Sequence, residues 1–398
     1  MRKINVAIVG LGSRGYVNLE TILRIDGVNV VGISDAYKDR IEKATLAICE
    51  AGGERPFSST DYRDVISKAD VEAVMIFSSW QSHIRIAIDA MKAGKAVGME
   101  VGGAYSIDEC FELVKAWEET RVPFMFLENC CYGKNEMLIK NMVDDGLFGE
   151  IVHCHGAYAH DLRREIATGK ECRHYRLNEY LNRNCENYPT HDLGPIAKIL
   201  GINNGNRMIR LVSMASKAAG LEQYINDRKD TIANKELIGQ KFSQGDIVTT
   251  LITCSGGQTI SLKLDTTLPR SYSREFTVRG TKGMYEENTN SVFLDGDKEA
   301  FNAAEHYLEN FNSAKKFEEK YLPDIWKNIT NEIIESGHGG MDYFVFSDFF
   351  ERLREDLPMP IDVYDAASWM CISCLSEESI AKGNVPVEIP DFTVNRQE

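Results

Sequence analysis

Residues 4–15, "INVAIVGLGSRG", join a short apolar run to three glycines, Gly10, Gly12 and Gly15, in G-x-G-x-x-G spacing. The apolar run predicts a buried β-strand, and the helix-like "YVNLETILRI" follows the last glycine. A second strand-like run, "VNVVGISD", ends at Asp35, 20 residues beyond Gly15. Glycines at this spacing let the backbone approach a pyrophosphate at a helix N-terminus, so the pattern predicts a dinucleotide-binding site.

The acid at the end of the second strand indicates which dinucleotide is bound. Asp35 can accept hydrogen bonds from the adenosine ribose, and its charge repels a 2′-phosphate. NAD is therefore the predicted cofactor rather than NADP. The alternative interpretation is a tight turn followed by a solvated aspartate.

Three further strand-like runs, "VEAVMIFSS", "KAVGMEV" and "VPFMFLEN", alternate with helical patterns up to Asn129. Repeated β-α units predict an α/β domain, residues 1–128, with a Rossmann doubly wound parallel sheet. Ligands of such sheets bind at the carboxyl ends of the strands. The residues predicted to face the cofactor there are Trp80, His83, Glu100, Val101, Glu128 and Asn129.

The pattern changes after Asn129 and predicts a second domain, residues 129–398. The alternating "IVHCHGAYAHDLR" and further runs at 208–215, 245–254, 257–265 and 275–280 indicate strands of a mostly antiparallel, open sheet in an α+β domain. A polar, aromatic loop is expected at 172–187, and a charged, solvated helical excursion at 305–335. The C-terminal helices are expected to pack back toward the first domain.

Composition excludes several classes of protein. The formal net charge of −15 disfavours nucleic acid as a partner, because an acidic surface repels phosphates. No stretch is long and apolar enough for a membrane span. The N-terminus "MRKINVAIVG" lacks the features of a signal peptide, so a cytoplasmic protein is expected.

Two short motifs raise the question of a metal site. "CISC" at 371–374 has no second cysteine pair to complete a zinc site and lies in a helical pattern, so its cysteines are expected to behave as buried small hydrophobes. His153 and His155 share one face of a strand, which is weak evidence for a metal. No metal is predicted.

Motifs along nearly the whole chain resemble glycoside hydrolase family 109, the NAD-dependent α-N-acetylgalactosaminidases, within the glucose–fructose oxidoreductase and inositol dehydrogenase superfamily. The stretches that carry the resemblance are "GLGSRG", "W-x-x-H" at 80–83, "LEN-x-x-YG" at 127–133, "GAYAHDLR", "NRN…YPTHDLGP", "PRSYSR", "GHGGMD", "DVYDAASW" and "SEESIAKG…PDFT". Dehydrogenases of the superfamily commonly have Glu-Lys-Pro where this chain has Glu100-Val101-Gly102. The glycosidases also have valine at the middle position.

The resemblance implies roles for individual residues. Cofactor contacts are implied at Ser13, Arg14, Asp35, Trp80, His83, Glu100, Val101 and Asn129. Substrate contacts are implied at Tyr158, Arg176, Tyr188, Pro189, Thr190, His191 and Tyr272, with Glu128 as a polar anchor for the sugar. His338 is a weaker candidate, for which a structural role at the following helix is an equal alternative.

The redox route that the resemblance implies needs particular groups. The C3 hydroxyl is oxidised, the resulting ketone acidifies C2–H, the C1 oxygen is eliminated, water adds, and retained NADH restores C3. Histidine has an ordinary pKa near neutrality, and a nearby cation such as Arg176 can tune a tyrosine. Within "ENYPTHDLGP" (186–195), His191 is predicted to act on the C3 hydroxyl. Tyr188, assisted by Tyr158 or Tyr272, is predicted to act at C2 or on the leaving oxygen.

Three interpretations of function stay open at this point. The first is a retaining NAD-dependent glycosidase that releases terminal α-N-acetylgalactosamine. The second is an NAD-dependent sugar dehydrogenase, against which the missing lysine at position 101 counts. The third is a non-catalytic sugar or NAD sensor. A homodimer is expected in each case, because the open sheet face in "IVTTLITCSGGQTISLKL" includes apolar positions that usually need a cover.

Overall fold

A computed structural model of the chain describes residues 2–296 and 313–396. The chain divides into two compact units. The first unit contains residues 1–129 and 329–367, and the second contains residues 130–328 and 368–398. The sequence predicts two domains, residues 1–128 and residues 129–398, and these domain bounds stay a prediction.

The sheet of the first unit is parallel throughout. Its spatial order is β3-β2-β1-β4-β5-β6. The strands are β1 (Ile4–Val9), β2 (Val28–Ser34), β3 (Phe57–Ser59), β4 (Ala73–Ile76), β5 (Ala96–Met99) and β6 (Phe124–Phe126). Every residue of β4, β5 and β6 is buried, which explains their uninterrupted apolar sequences. The predicted doubly wound sheet is confirmed, with the short edge strand β3 as an addition.

The helices between these strands are α1 (Ser13–Ile22), α2 (Lys38–Glu50), α3 (Tyr62–Ile66), α4 (Trp80–Lys92) and α5 (Ile107–Thr120). Local sequence determines where α5 begins. Ser106 Oγ accepts a hydrogen bond from the Glu109 N–H, and the Glu109 carboxylate accepts one from the Ser106 N–H, both at 3.2 Å. This reciprocal pair satisfies two donors that the helix itself leaves unpaired.

The second unit contains an eight-stranded sheet. Its strands are β7 (Ile151–Ala159), β8 (Met208–Ala215), β9 (Ile247–Cys254), β10 (Thr259–Asp265), β11 (Thr277–Gly280), β12 (Gly283–Glu286), β13 (Ser291–Leu294) and β14 (Val387–Glu388). The spatial order is β13-β12-β11-β7-β10-β9-β8-β14. Neighbours are antiparallel except β7 and β10, which pair in parallel. The prediction of a mostly antiparallel sheet is confirmed.

The helices of the second unit are α6 (Lys134–Asp144), α7 (Arg163–Ala167), α8 (Arg176–Asn182), α9 (Thr190–Leu200), α10 (Gly220–Asp227), α11 (Glu318–Tyr321) and α12 (Asp324–Lys327). Helix α8 shows that the expectation of a loop at 172–187 is wrong. Its buried residues are Arg176, Glu179 and Tyr180. The helix has only seven residues, so its apolar positions Leu177, Tyr180 and Leu181 are too few to distinguish it from a loop in the sequence.

Three helices follow near the C-terminus: α13 (Asn331–Ile334), α14 (Met341–Glu355) and α15 (Val363–Ala381). In the first unit, α14 packs against α1. The expected helical excursion at 305–335 consists of short helical turns from residue 314 onward, and its first part lies outside the described residues. None of the described helices has the length and apolar character needed to cross a membrane.

One face of the eight-stranded sheet is covered by α9, which packs on β7. The other face is open as far as the described residues show, and β9 illustrates this because its residues alternate between buried and exposed. Leu251 on β9 is 52% exposed, and Met214 on β8 is 61% exposed. The predicted apolar positions on the open face are therefore present.

Candidate functional site

The glycine-rich turn between β1 and α1 has the shape that a dinucleotide needs. A Cβ on Gly10 would lie 2.5 Å from the Phe77 backbone, and one on Gly15 would lie 2.0 Å from the Gly10 carbonyl oxygen. Both positions therefore exclude larger residues. A Cβ on Gly12 would meet only the Arg40 side chain, at 3.4 Å. The backbone before α1 is thus open to a ligand, and Ser13 is exposed at the first position of the helix.

Asp35 follows β2 and is buried against this turn. Its Oδ2 accepts a hydrogen bond from the Leu11 N–H at 2.7 Å, and its Oδ1 accepts one from the Tyr37 N–H at 2.9 Å. Arg40 lies 3.7 Å from the carboxylate, with its guanidinium over the Tyr37 ring. Asp35 therefore also holds the glycine turn in place, a role that the sequence pattern does not reveal.

Trp80 and His83 lie on the first turn of α4, and both are buried. Neither ring nitrogen of His83 makes a hydrogen bond of good geometry to a described residue, although the Glu100 backbone lies close enough to favour the protonated ring. Burial lowers the pKa of His83 to about 4, against a smaller opposite effect of the Glu100 backbone. A buried neutral imidazole whose nitrogens lack well-formed hydrogen bonds fits a residue that binds a ligand.

The Trp80 indole also explains why a glycine stands after Val101. A Cβ on Gly102 would lie 2.3 Å from Trp80 Cδ1. A side chain at position 102 would therefore have to displace the indole. Val101 is itself buried, and its N–H donates a hydrogen bond to Glu100 Oε1 at 3.1 Å.

Three of the predicted cofactor residues belong to one polar network in the first unit. Arg14 Nε donates to Glu100 Oε2 at 3.0 Å, and both of its terminal nitrogens donate to the Asp342 carboxylate. Asn129 Nδ2 donates to Asp342 Oδ1 at 2.7 Å. Asn18 also donates to Glu100 Oε2, at 3.1 Å. Sequence reasoning missed Asp342 and Asn18, although Asp342 lies in the quoted "GHGGMD".

His338 and Glu128 are two further residues of the first unit that the sequence analysis named as candidates. His338 Nδ1 lies 2.8 Å from Asp342 Oδ2, so this histidine belongs to the same network rather than standing apart from it. Glu128 follows β6 and is fully buried.

In the second unit, Tyr158, Tyr188 and His191 form one aromatic cluster. The ring centroids of Tyr158 and Tyr188 are 4.6 Å apart, and that of His191 is 4.7 Å from Tyr188 and 5.6 Å from Tyr158. The Tyr188 hydroxyl lies 3.3 Å from His191 Nε2. Gly156 makes this possible, because a Cβ there would lie 2.8 Å from Cβ of Asp192 and push α9 off β7.

The start of α9 gives the cluster its geometry. Pro189 precedes the helix with φ −74°, and no side chain caps the helix there. Thr190 is fully buried, and its Oγ1 has no hydrogen-bond partner among the described residues. Pro189 and Thr190 thus directly precede His191 in the chain, and their role as substrate contacts stays a prediction.

Arg176, the first residue of α8, places a positive charge beside the two tyrosine rings. Its guanidinium carbon is 5.2 Å from the Tyr188 ring centroid and 6.0 Å from that of Tyr158. Its Nε lies 3.0 Å from Glu165 Oε1. Burial raises the pKa of Tyr158, and the Arg176 charge acts in the opposite direction.

Tyr272 is joined to this cluster through His160. The His160 ring lies edge-on to Tyr272 at 5.2 Å, and its Nδ1 lies 3.2 Å from the Tyr158 hydroxyl. Arg274 Nη1 donates to the Tyr272 hydroxyl at 3.4 Å, and Arg274 Nε donates to Glu136 Oε1 at 2.8 Å. Sequence reasoning missed His160. The signal was available in "GAYAH", where two polar aromatic residues stand two apart at the end of a strand.

The gathered groups can move protons. Two tyrosine hydroxyls each have a histidine nitrogen within 3.3 Å, namely Tyr188 with His191 and Tyr158 with His160. Burial lowers the pKa of His160, which favours its neutral, proton-accepting form. Arg176 supplies a charge that stabilises a phenolate. Such a cluster suits general acid and base chemistry on a substrate with hydroxyl groups.

His153 and His155 have ordinary partners across the β7–β10 pair. His153 Nδ1 lies 2.8 Å from Thr259 Oγ1, and His155 Nδ1 lies 2.7 Å from Ser261 Oγ. All ten cysteines lie in the described part of the chain as free thiols, and Cys371 of "CISC" is buried.

The six-stranded parallel sheet, its glycine turn and the second open sheet define a two-domain protein with an NAD-binding Rossmann fold. Residues 4–127 match the family described as "Oxidoreductase family, NAD-binding Rossmann fold". Levoglucosan dehydrogenase in complex with NADH and levoglucosan superposes with a TM-score of 0.72 at 18% identity, over 98% of this chain and 100% of that one. Scyllo-inositol dehydrogenase from Lactobacillus casei, with NAD(H) and scyllo-inositol, gives 0.67 at 15% identity, over 98% of each. At these identities the likeness shows the fold alone.

Matches to the second part of the chain and to the whole chain identify its family. Residues 132–397 match "Glycosyl hydrolase 109, C-terminal domain". The "Glycosyl hydrolase family 109 protein" of Stenotrophomonas maltophilia (strain K279a) is 37% identical, over 98% of this chain and 89% of that protein. The "Alpha-N-acetylgalactosaminidase" of Tannerella forsythia is 36% identical, over 98% and 86%. The chain belongs to glycosyl hydrolase family 109, which confirms the resemblance drawn from its motifs, and it is a glycoside hydrolase.

Proposed function

We propose that this enzyme is a retaining glycosidase that holds NAD and releases terminal α-N-acetylgalactosamine by oxidation, elimination, hydration and reduction. The names of two relatives, from Tannerella forsythia and Shewanella oneidensis, support this choice of sugar. The observation that carries the reaction type is the Tyr188–His191 pair beside Arg176. Hydrolysis by direct displacement uses two carboxylates across the sugar ring, whereas Tyr188 and His191 are a phenol and an imidazole.

The residues proposed to hold NAD fit a dinucleotide. The glycine turn leaves the backbone accessible at Gly12, and burial keeps the His83 imidazole neutral at pH 7 by lowering its pKa to about 4. When bound, NAD supplies a hydride acceptor for the sugar and, in its reduced form, a hydride donor. The full proposed set is Gly10, Gly12, Ser13, Arg14, Gly15, Asp35, Trp80, His83, Glu100, Val101 and Asn129.

In this proposal, residues of the second unit carry out the proton transfers. We assign His191 to the C3 hydroxyl proton, because its Nε2 faces the Tyr188 hydroxyl and can pass a proton on. Tyr188, with Tyr158 or Tyr272, removes the C2 proton or protonates the leaving C1 oxygen. Arg176 favours the phenolate form that a tyrosine base needs. Pro189, Thr190 and Glu128 complete the proposed sugar contacts.

Hydrolysis in D2O tests the reaction type. If C2–H is removed during turnover, the released sugar carries deuterium at C2, which mass spectrometry or NMR detects. Direct displacement leaves C2 unlabelled, and that result would overturn the proposal. Accumulation of NADH without release of aglycone would instead identify a sugar dehydrogenase. The assay runs without added NAD, so activity depends on the nucleotide that copurifies.

Two further properties are proposed with this function. The open face of the eight-stranded sheet is the proposed homodimer interface, since Leu251 and Met214 expose apolar surface there. A cytoplasmic location suits a small glycoside as substrate.

A further inference from the structure

We propose that Asp342 is a positioning residue of the NAD site, which orients Arg14 and Asn129 without needing to touch the nucleotide. The proposal rests on the proposed function, because it assumes that Arg14 and Asn129 bind NAD. It is carried by the hydrogen bonds that converge on one buried carboxylate.

Asp342 fixes the Arg14 side chain. Arg14 Nη1 donates to Asp342 Oδ2 at 2.5 Å and Nη2 donates to Oδ1 at 2.9 Å, so the pair is bidentate. The third nitrogen, Nε, donates to Glu100 Oε2 at 3.0 Å. A guanidinium held on two edges by carboxylates has a defined plane and direction. Without Asp342, the contacts of Arg14 with Glu100 and His338 would remain, but the two terminal nitrogens would lose their shared acceptor and the side chain would regain rotamer freedom.

Asp342 also sets the orientation of the Asn129 amide. Asn129 Nδ2 donates to Asp342 Oδ1 at 2.7 Å. Because an ionised carboxylate only accepts hydrogen bonds, the NH2 of Asn129 must face it and the amide oxygen must point the other way. Burial alone would raise the pKa of Asp342, but the charges and hydrogen bonds of Arg14 and His338 hold it well below its ordinary range. The carboxylate is therefore ionised at neutral pH.

The chain before α14 is shaped to bring this carboxylate into place. Residues 337–340 all have positive φ, with values of 117°, 44°, 65° and 100°, and three of the four are glycine. A Cβ on Gly337 would lie 2.6 Å from Asp342 Oδ2. The unusual turn thus leaves room for the carboxylate and brings His338 within 2.8 Å of it.

The alternative is that Asp342 only fastens α14 to the first unit. Asp342→Asn separates the two roles, with Asp348→Asn as the matched control, because Asp348 lies on the same helix and pairs with Arg352. The variants are purified with their nucleotide, and the rate at which NAD is lost on dialysis is measured well below each unfolding midpoint. We expect Asp342→Asn to lose NAD at least about tenfold faster than wild type, a difference of about 1.4 kcal/mol, and Asp348→Asn to match wild type. A folded Asp342→Asn protein that loses NAD at the wild-type rate overturns the inference.

A second variant covers the case in which Asp342→Asn does not fold. Arg14→Gln combined with Asp342→Asn removes both charges of this pair, and Glu100 keeps Asn18 Nδ2 and the Val101 N–H as hydrogen-bond donors. Because Asp342 also orients Asn129, we expect this double variant to lose NAD faster than Arg14→Gln alone, and equal rates would overturn the inference. Wild-type protein that neither copurifies with NAD nor binds added NAD would overturn the proposed function itself. The two failures are therefore distinguishable.

Discussion

The Tyr188 hydroxyl lies 3.3 Å from Nε2 of His191, with the two rings edge to face. This contact joins side chain to side chain across the first turn of α9. Both rings are buried, and the Arg176 guanidinium lies 5.2 Å from the Tyr188 ring centroid. The arrangement favours a chemical role for "ENYPTHDLGP" over a purely structural one.

The first prediction concerns this pair. Tyr188→Phe keeps the ring and its packing but removes the proton, and His191→Ala removes the imidazole. Each should slow glycoside hydrolysis by about 10²–10⁴-fold, the usual effect of losing a general acid or base, while bound NAD is unchanged. Tyr321→Phe is the control, because its hydroxyl bonds only to groups remote from the cluster, such as Asp145. Near-normal turnover of both site variants would contradict the assignment.

The second prediction concerns Asp35. Asp35→Ala should weaken NAD retention by about 1–3 kcal/mol, the scale of a lost charge-assisted hydrogen bond. Part of the loss is expected to come from the glycine turn, because the Leu11 N–H loses its acceptor. The nucleotide released on denaturation, quantified per protein chain after dialysis, measures the effect. Unchanged NAD content would count against the ribose contact.

The third prediction concerns the Arg274–Glu136 pair that supports Tyr272. Both side chains are largely buried, so Arg274→Gln leaves the Glu136 carboxylate without its partner. The free energy of unfolding in urea should fall by about 3–5 kcal/mol. Adding Glu136→Gln to this variant should restore part of the loss, because neither charge is then buried alone. If the double variant is less stable than the single one, the explanation through an unpaired charge is wrong.

The fourth prediction concerns the pH dependence of stability. Burial lowers the pKa of His83 to about 4 from its ordinary 6.5, so the unfolded chain takes up a proton first as the pH falls. The contribution is complete above about pH 6.5 and is lost toward pH 4, amounting to about 2 kcal/mol between pH 7 and pH 5. Urea unfolding of nucleotide-free wild type and His83→Gln at both pH values measures it. The variant should show the smaller decrease, and equal decreases would refute the assignment.

The fifth prediction concerns assembly. Replacing Leu251 and Met214 together with lysine should convert a dimer into a 44.8 kDa monomer, because charges would be buried at the proposed interface. Leu46→Lys is the control, since Leu46 is 63% exposed on α2 of the first unit. Light scattering reports the mass. A wild-type protein that is already monomeric would exclude the interface.

The parts of the fold that the sequence predicts are those with local periodicity. The parallel strands of the first unit follow from short buried apolar runs, and α9 follows from Pro189 and the apolar residues after it. Strands β12, β13 and β14 are not predicted. Each has only two to four residues, too few to show an alternation of apolar and polar side chains. Helix α8 is not predicted because its seven residues are too few for a helical period to be recognised.

The same distinction holds in the candidate site. Tyr188 and His191 are three residues apart where α9 begins, so their proximity can be inferred from a short sequence separation. Arg14 and Asp342 are 328 positions apart, and only packing of α14 on α1 brings them together. The Arg274–Tyr272–His160 connection likewise depends on the tertiary fold. Spacing rules cannot supply contacts of this kind.

The parallel pairing of β7 with β10 has a consequence for how the nascent chain folds. Strand β7 ends at residue 159, but its neighbours β10 and β11 begin at residues 259 and 277. The central strand of the sheet is thus synthesised at least 100 residues before either partner. Such non-local pairings form slowly, and unpaired strand edges are prone to aggregate. Strand β7 therefore has neither of its partner strands until residues 259–280 have been synthesised. Mutations that slow the pairing of these strands should lower the yield of soluble enzyme more than its activity.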